Sequence, residues 1–183
     1  QGAITDQKQS GRCWMFAALN TFRFEVIKKL NLENFELSQN YMLFYDKLEK
    51  ANYFLESILE TMEEPTEGRL ISWLLTAPLN DGGQWDMLCN LVRKYGAVPK
   101  YAMPETKSSS ATGEMNSTLT VKLREDACRL RRAYAQGATR EELAGKKEAM
   151  LGEIYRILCI CLGEPPKSFD LEVEDKEGKF IRD

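Results

Sequence analysis

The chain has 183 residues, 43% hydrophobic and 29% charged, with a formal net charge of −3, which is ordinary globular composition and length for one sizeable core, or for a modest domain plus an insertion. That acidic balance argues against nonspecific nucleic-acid binding, whose affinity comes largely from Lys and Arg neutralising phosphates. The longest apolar runs, residues 14–19 and 157–162, fall far short of the roughly 20 residues a bilayer-spanning helix requires, and no signal peptide is visible.

The first predicted helix covers residues 13–30 and follows the segment Gln7-Lys8-Gln9-Ser10-Gly11-Arg12. Its opening turns, residues 14–19, are apolar on every face, the pattern of a helix buried through a domain centre. Cys13 stands at the head of this helix. A cysteine in such a place more often packs than reacts, but the first N–H groups of a helix carry partial positive charge that attracts a thiolate. Two neighbours strengthen the chemical reading. Gly11 lets the backbone approach a bound peptide closely, and the Gln7 amide is placed to donate to an oxygen that turns negative in a tetrahedral intermediate. Without Cys13 nearby, Gln7 would read as a solvated loop glutamine.

A second helix is predicted from Ser38, its N-cap, through Tyr41, Leu48, Phe54 and Ile58 to near Met62, before Pro65. A shorter helix follows over 69–76. Asp81-Gly82-Gly83 is a loop, and residues 85–95 form a helix that Gly96 terminates. The stretch 98–113, with two prolines and Ser108-Ser109-Ser110, reads as an exposed connection. Residues 116–136 are helical and carry Arg124, Arg129, Arg131 and Arg132, with Arg140 beyond. Glu125 and Asp126 share that helix, so a solvated or subunit-facing surface fits better than a nucleic-acid site. Thr139-Arg140-Glu141-Glu142 is a capping box opening a helix that ends near Gly163, before Pro165-Pro166. The first clear β signal comes last: alternation over 169–173, a turn at 175–178 and a strand over 179–181.

Five cysteines, an odd number without framework spacing, point to reduced thiols in a cytosol. Cys159-Ile160-Cys161 is a conceivable redox or metal pair, but it lies in an apolar helical run with no histidine or second cysteine pair to complete a zinc site, so core packing is the better reading. No metal or cofactor is expected. The chain contains no histidine at all, so the usual base for a cysteine nucleophile must come from elsewhere.

At Gln7, Cys13 and Trp14 the sequence resembles the papain-like cysteine peptidases, in which a Gln six positions before the nucleophile helps build the oxyanion hole and Cys-Trp opens the central helix. It departs from the secreted members at Ser10, where they carry a disulfide cysteine, and at Arg12, where they carry a small residue. Both departures are similar to the intracellular bleomycin hydrolase and aminopeptidase C branch. So are Leu37-Ser38-Gln39, Asp81-Gly82-Gly83-Gln84-Trp85, Tyr95-Gly96-Ala97-Val98-Pro99-Lys100 and Met103-Pro104-Glu105-Thr106. The resemblance spans most of the chain.

It implies an α+β papain-like fold with a helical nucleophile lobe over 1–115, a helical insertion over 116–163 and the start of a β-rich lobe over 164–183. The implied activity is that of a cysteine aminopeptidase, with Cys13 as nucleophile, Gln7 in the oxyanion hole and Gly11, Gly82, Gly83 and Trp85 binding the peptide. Gly82 and Gly83 would present backbone groups to an extended substrate; Trp85 would wall the cleft or pack its own helix. In papain the His and Asn partners lie roughly 130 to 150 residues beyond the nucleophile; here the insertion delays them, and the sequence reads as a fragment lacking the C-terminal lobe of the same protein. The resemblance further implies a cytoplasmic homo-hexamer that is not membrane-bound. Nucleic acid remains a less favoured partner, because some relatives bind it. Two competing readings are a peptidase-derived scaffold without chemistry and a thiol redox or metal protein using Cys159 and Cys161.

Overall fold

The computed structural model describes residues 4–182. In chain order they form α1 (Cys13–Lys29), α2 (Gln39–Glu60), α3 (Arg69–Thr76), α4 (Trp85–Tyr95), α5 (Lys107–Ser110), α6 (Gly113–Ala135), α7 (Arg140–Leu162) and the strands β1 (Glu172–Glu174) and β2 (Phe180–Arg182). The described residues form two compact units, the first from 4–45, 81–112 and 162–182 and the second from 46–80 and 113–161.

In the first unit, α1 packs against α4, and Phe22 of α1 meets Trp85 of α4 with ring centroids 5.6 Å apart. Ser38 caps α2: its hydroxyl accepts the Tyr41 N–H at 3.0 Å and donates to the Met103 carbonyl, satisfying one of the orphan donors of a helix start. Tyr41 donates to the Tyr95 carbonyl at 2.7 Å, and Tyr45 stacks on Tyr95 at 3.8 Å. Burial raises the Tyr41 phenol to about 12. Gly96 ends α4 at φ 75°, a conformation that glycine adopts at little cost. The hairpin is antiparallel with Val173 opposite Ile181, and the Asp175 carboxylate accepts the Glu177 and Lys179 N–H groups across its turn. Its first strand starts three residues later than the alternation in the sequence suggests.

One expectation is corrected here. The stretch 98–113 is not exposed throughout: Val98, Met103, Ser109 and Thr112 are buried, while Tyr101, Pro104 and Lys107 stay exposed. It contains α5, whose N-cap Thr106 forms a reciprocal capping box with Ser109. Prolines and serines signal a break in regular structure, but burial is decided by what the segment touches.

The second unit buries Ala51, Phe54, Leu55 and Ile58 of α2, Ile71 and Leu74 of α3, Met115, Leu119, Leu123 and Leu130 of α6, and Leu143, Met150, Ile154 and Leu158 of α7. Their spacing of three and four residues is that of helices with one apolar stripe. The capping box at Thr139 is present: its N–H donates to the Glu142 carboxylate at 2.7 Å, and its hydroxyl accepts the Glu142 N–H at 3.2 Å. Two arginines of the basic cluster have intramolecular work. Arg124 donates to the carbonyls of Leu75 and Thr76 at the end of α3, and Arg131 to those of Thr61 and Glu64 just past α2. They satisfy helix-terminal carbonyls, whereas Arg129 makes an exposed pair with Glu125. Asp126 is fully buried and paired with Lys122, which also reaches Glu153; burial raises the Asp126 carboxyl against the pull of Lys122.

Candidate active site

Cys13 is the first residue of α1, and its side chain is exposed. The helix is not apolar-buried on all sides, contrary to the pattern of residues 14–19. Met15, Phe16, Ala18, Leu19 and Arg23 are buried, but Cys13, Ala17, Thr21 and Phe24 form an open stripe at helical spacing. Alanine and phenylalanine are apolar wherever they lie, so composition alone could not separate the open face from the packed one. The nucleophile candidate thus sits at the N-terminal end of an uncovered face.

The loop before Cys13 is held from several directions. Gln9 pairs with residues 110–112: its N–H donates to the Ser110 carbonyl at 2.9 Å, and its carbonyl accepts the Thr112 N–H at 3.3 Å. Asp81 is the second anchor. Its carboxylate accepts the Gly11 N–H at 3.0 Å and the Thr112 hydroxyl at 2.6 Å, and its backbone carbonyl accepts Trp14 Nε1–H at 2.8 Å. Asp81 therefore joins the segment before the thiol, the first turn of α1 and the Gly82-Gly83 loop.

Arg12 is the third anchor. Its side chain is 1% exposed and forms a two-pronged pair with Glu105, at 3.0 and 2.8 Å, while its Nε donates to the Ser10 hydroxyl at 2.8 Å. The guanidinium lies over the Phe16 ring, 4.9 Å from its centroid.

The residues singled out in the sequence occupy distinct places. Gln7 lies in a turn in which its Nε2 donates to the Ser10 carbonyl at 2.7 Å and the Ser10 hydroxyl donates to the Gln7 carbonyl at 2.6 Å. An amide nitrogen carries two N–H donors, and this bond uses one of them. Lys8 within the turn adopts φ 53°, and its N–H is accepted by the Asp6 carboxylate. Hydrogen bonds from the Lys8 side chain and backbone hold the Asp6 carboxyl below its ordinary value.

Gly11 has a packing reason to be glycine, since an added Cβ would come within 2.6 Å of Asp81 Cβ. Gly82 is exposed, and nothing stands within 4 Å of a Cβ added there. At Gly83 an added Cβ would meet the Trp14 ring at 2.5 Å. Trp85 is 51% exposed at the start of α4. Cys13, Trp14, Gly11 and Gly83 are thus linked through Asp81 and the indole, while Gln7 is held within its own turn and Trp85 lies beside Phe22.

These contacts separate the two glycines. In Gly83→Ala the new methyl has no room, because the Trp14 ring is tethered to the Asp81 carbonyl and retreats only by breaking that bond. Overpacking of this kind costs about 1–3 kcal/mol. Gly82→Ala is expected to leave stability within about 0.5 kcal/mol of the parent. Urea unfolding of the two variants checks this; equal midpoints would contradict it.

Sequence reasoning missed Asp81, Thr112, Glu105 and the inward side chain of Arg12 as components of the site. Arg12 and Glu105 stand in separate motifs, and residues 93 positions apart give no local sign that they pair. Elsewhere in the first unit a cavity of about 700 Å³ is lined by Tyr101, Asp170, Leu171, Glu172 and Arg182; its lining does not include the thiol. Of the five cysteines, Cys13 and Cys128 are exposed and the other three half-buried.

An exposed thiol at a helix start, beside a tightly held glycine loop, is suited to nucleophilic attack on a carbonyl. The sequence is 55% identical over 177 residues to aminopeptidase C of Listeria monocytogenes serovar 1/2a, which covers 97% of this chain and 40% of that protein. It is 48% identical over 179 residues to bleomycin hydrolase of Homo sapiens, covering 97% of this chain and 39% of the relative. The crystal structure of PepW from Lactobacillus rhamnosis HN001 superposes with a TM-score of 0.96 at 50% identity, over 100% of this chain and 41% of the other. The chain therefore spans about two fifths of the length of these relatives. Its arrangement is the helical part of the papain-like α+β fold, with a short two-stranded sheet. Since the Peptidase C1-like family matches residues 1–183 throughout, the chain belongs to that family.

Proposed function

We propose that this chain is the nucleophile-bearing part of a cysteine aminopeptidase that removes N-terminal residues from peptides. The observation that carries the reading is the exposed Cys13 thiol at the first residue of α1, heading a helix face left open. In this mechanism the Cys13 thiolate attacks the scissile carbonyl carbon, forming a C–S bond, while the carbonyl π electrons move onto oxygen. The Cys13 backbone N–H and the second Gln7 N–H stabilise that oxyanion. An imidazolium paired with the thiolate gives its proton to the departing amine as the C–N bond breaks. Water, deprotonated by the same imidazole, then adds to the thioester carbonyl; as the C–S bond breaks, the acid is released and the thiolate–imidazolium pair is restored.

The chain has no histidine, so in this reading His and Asn come from another part of the protein; about three fifths of the relatives' own length lies outside the match to this chain. That part would cover the stripe of Ala17, Thr21 and Phe24. Gly82, open to solvent, is the position where an extended peptide can lie against the backbone, with Gly11, Gly83 and Trp85 contributing the surrounding wall. The resemblance supports a cytoplasmic homo-hexamer with no resident cofactor. Among the described residues no helix is long and apolar enough to cross a membrane.

The test compares the full-length protein with the purified 183-residue chain on aminoacyl-coumarin amides. Turnover by the full-length protein and none by the chain alone is expected. Sustained Cys13-dependent turnover by the chain alone would overturn the need for an external histidine. An inert full-length protein would leave a scaffold derived from a peptidase.

A further inference from the structure

We propose that Arg12 is a positioning residue whose buried guanidinium, paired with the half-buried Glu105, sets where the Cys13 sulfur and backbone N–H lie; this rests on the reading of Cys13 as nucleophile. Arg12 is the N-cap of α1, with φ −94° and ψ 18°, and its carbonyl accepts the first helical N–H, from Phe16, at 2.9 Å. An N-cap side chain usually folds back onto its own helix. This one makes no capping bond to its helix: with its guanidinium over the Phe16 ring, it reaches Ser10 and Glu105 instead. Its backbone begins the helix that carries the thiol, while its side chain is bolted to a distant segment.

That segment is itself fixed at both ends. Glu105 also accepts the Ser109 hydroxyl at 2.8 Å, inside the Thr106 capping box of α5. Upstream, the Met103 carbonyl accepts the Ser38 hydroxyl, and the Pro104 carbonyl accepts Asn40 Nδ2–H at 2.8 Å, a group that also bonds the Leu162 carbonyl. Downstream, the Ser110 carbonyl accepts the Gln9 N–H. Two sequence motifs that have no direct part in the chemistry, Leu37-Ser38-Gln39 and Met103-Pro104-Glu105-Thr106, thus converge on the residue next to the thiol. A guanidinium suits the task because its planar fork matches both carboxylate oxygens and fixes orientation as well as distance; an ammonium acts as a point charge. Displacements of about 1 Å at a reacting group can cost about 10²-fold in rate.

The test uses the full-length protein in three forms, Arg12→Lys, Arg12→Met and the double variant Arg12→Met with Glu105→Met, following kcat, KM and the thermal unfolding midpoint. Arg12→Lys is expected to lower kcat by about 10- to 10²-fold, with KM within about twofold of the parent. Arg12→Met leaves the Glu105 carboxylate unpaired and should lower the midpoint, which the double variant recovers because apolar side chains replace the pair without leaving a charge behind. The double variant nevertheless keeps the low kcat. Recovery of parental kcat in the double variant, or an unchanged kcat in Arg12→Lys, would overturn the positioning role and leave the pair as packing. Should Arg12→Met fail to fold, Arg12→Lys decides alone. Undiminished turnover in Cys13→Ala would instead mean that the nucleophile reading had failed, an outcome distinct from any of these.

Discussion

Replacing Cys13 by alanine in the full-length protein is expected to abolish peptide hydrolysis while leaving the unfolding midpoint within a degree or two of the parent, about the effect of a few tenths of a kcal/mol in a protein of this size. The chemical half follows from the mechanism, because no acyl-enzyme forms without the sulfur. The structural half follows from exposure: the thiol lies on the open stripe of α1 and outside the buried core, and alanine has the higher helix propensity. Activity and thermal unfolding measured on one preparation separate the two. Substantial residual turnover contradicts the assignment; loss of activity together with loss of folding would show that Cys13 holds the helix start in place.

For Gln7→Ala we expect kcat to fall by about 10²- to 10³-fold, the usual scale for one oxyanion donor. The variant also loses the bond from Gln7 Nε2 to the Ser10 carbonyl, a net cost of about 1 kcal/mol. The turn keeps its second closure, from the Ser10 hydroxyl to the Gln7 carbonyl, so the site loop should persist. Steady-state kinetics beside urea unfolding checks both parts. Unchanged turnover would remove Gln7 from the site and leave it a turn-forming residue.

The elements that could be read from sequence are those whose signals are local. The bounds of α3 and α4 match their expected ranges, and the Ser38 cap, the Thr139 capping box and Gly96 all appear where turn chemistry placed them. Each depends on residues within four positions of one another. What stayed hidden depends on distant partners. The burial of Met103, Ser109 and Thr112 comes from segments that meet only in the fold, while the Pro and Ser content signals only an interruption of regular structure. Arg124 and Arg131 look like surface charge until their carbonyl partners on other elements are known. The same holds at the site: the Gln7 and Cys13 spacing is visible in one line of sequence, but the Asp81 bridge between Gly11 and Trp14, spanning about 70 positions, is not.

Those distant ties explain how a small loop can keep a thiol fixed while leaving it exposed. Arg12, Gly11 and Gln9 are each bound to a different part of the 81–112 region, so the approach to Cys13 is constrained from behind and its front stays open. Rigid support of this kind lets a nucleophile and an oxyanion donor act without reorganising during the reaction.

The central claim is that Cys13 is the reactive thiol. Full-length protein treated with an epoxide cysteine-peptidase inhibitor at mildly acidic pH, then digested and mapped by mass spectrometry, tests it most directly. Cys128 is exposed as well and lies on α6, so it reports what exposure alone can do. A single adduct on Cys13 with Cys128 unmodified is the predicted result; modification of Cys128 in preference to Cys13, or no adduct on Cys13 in an active preparation, would contradict it.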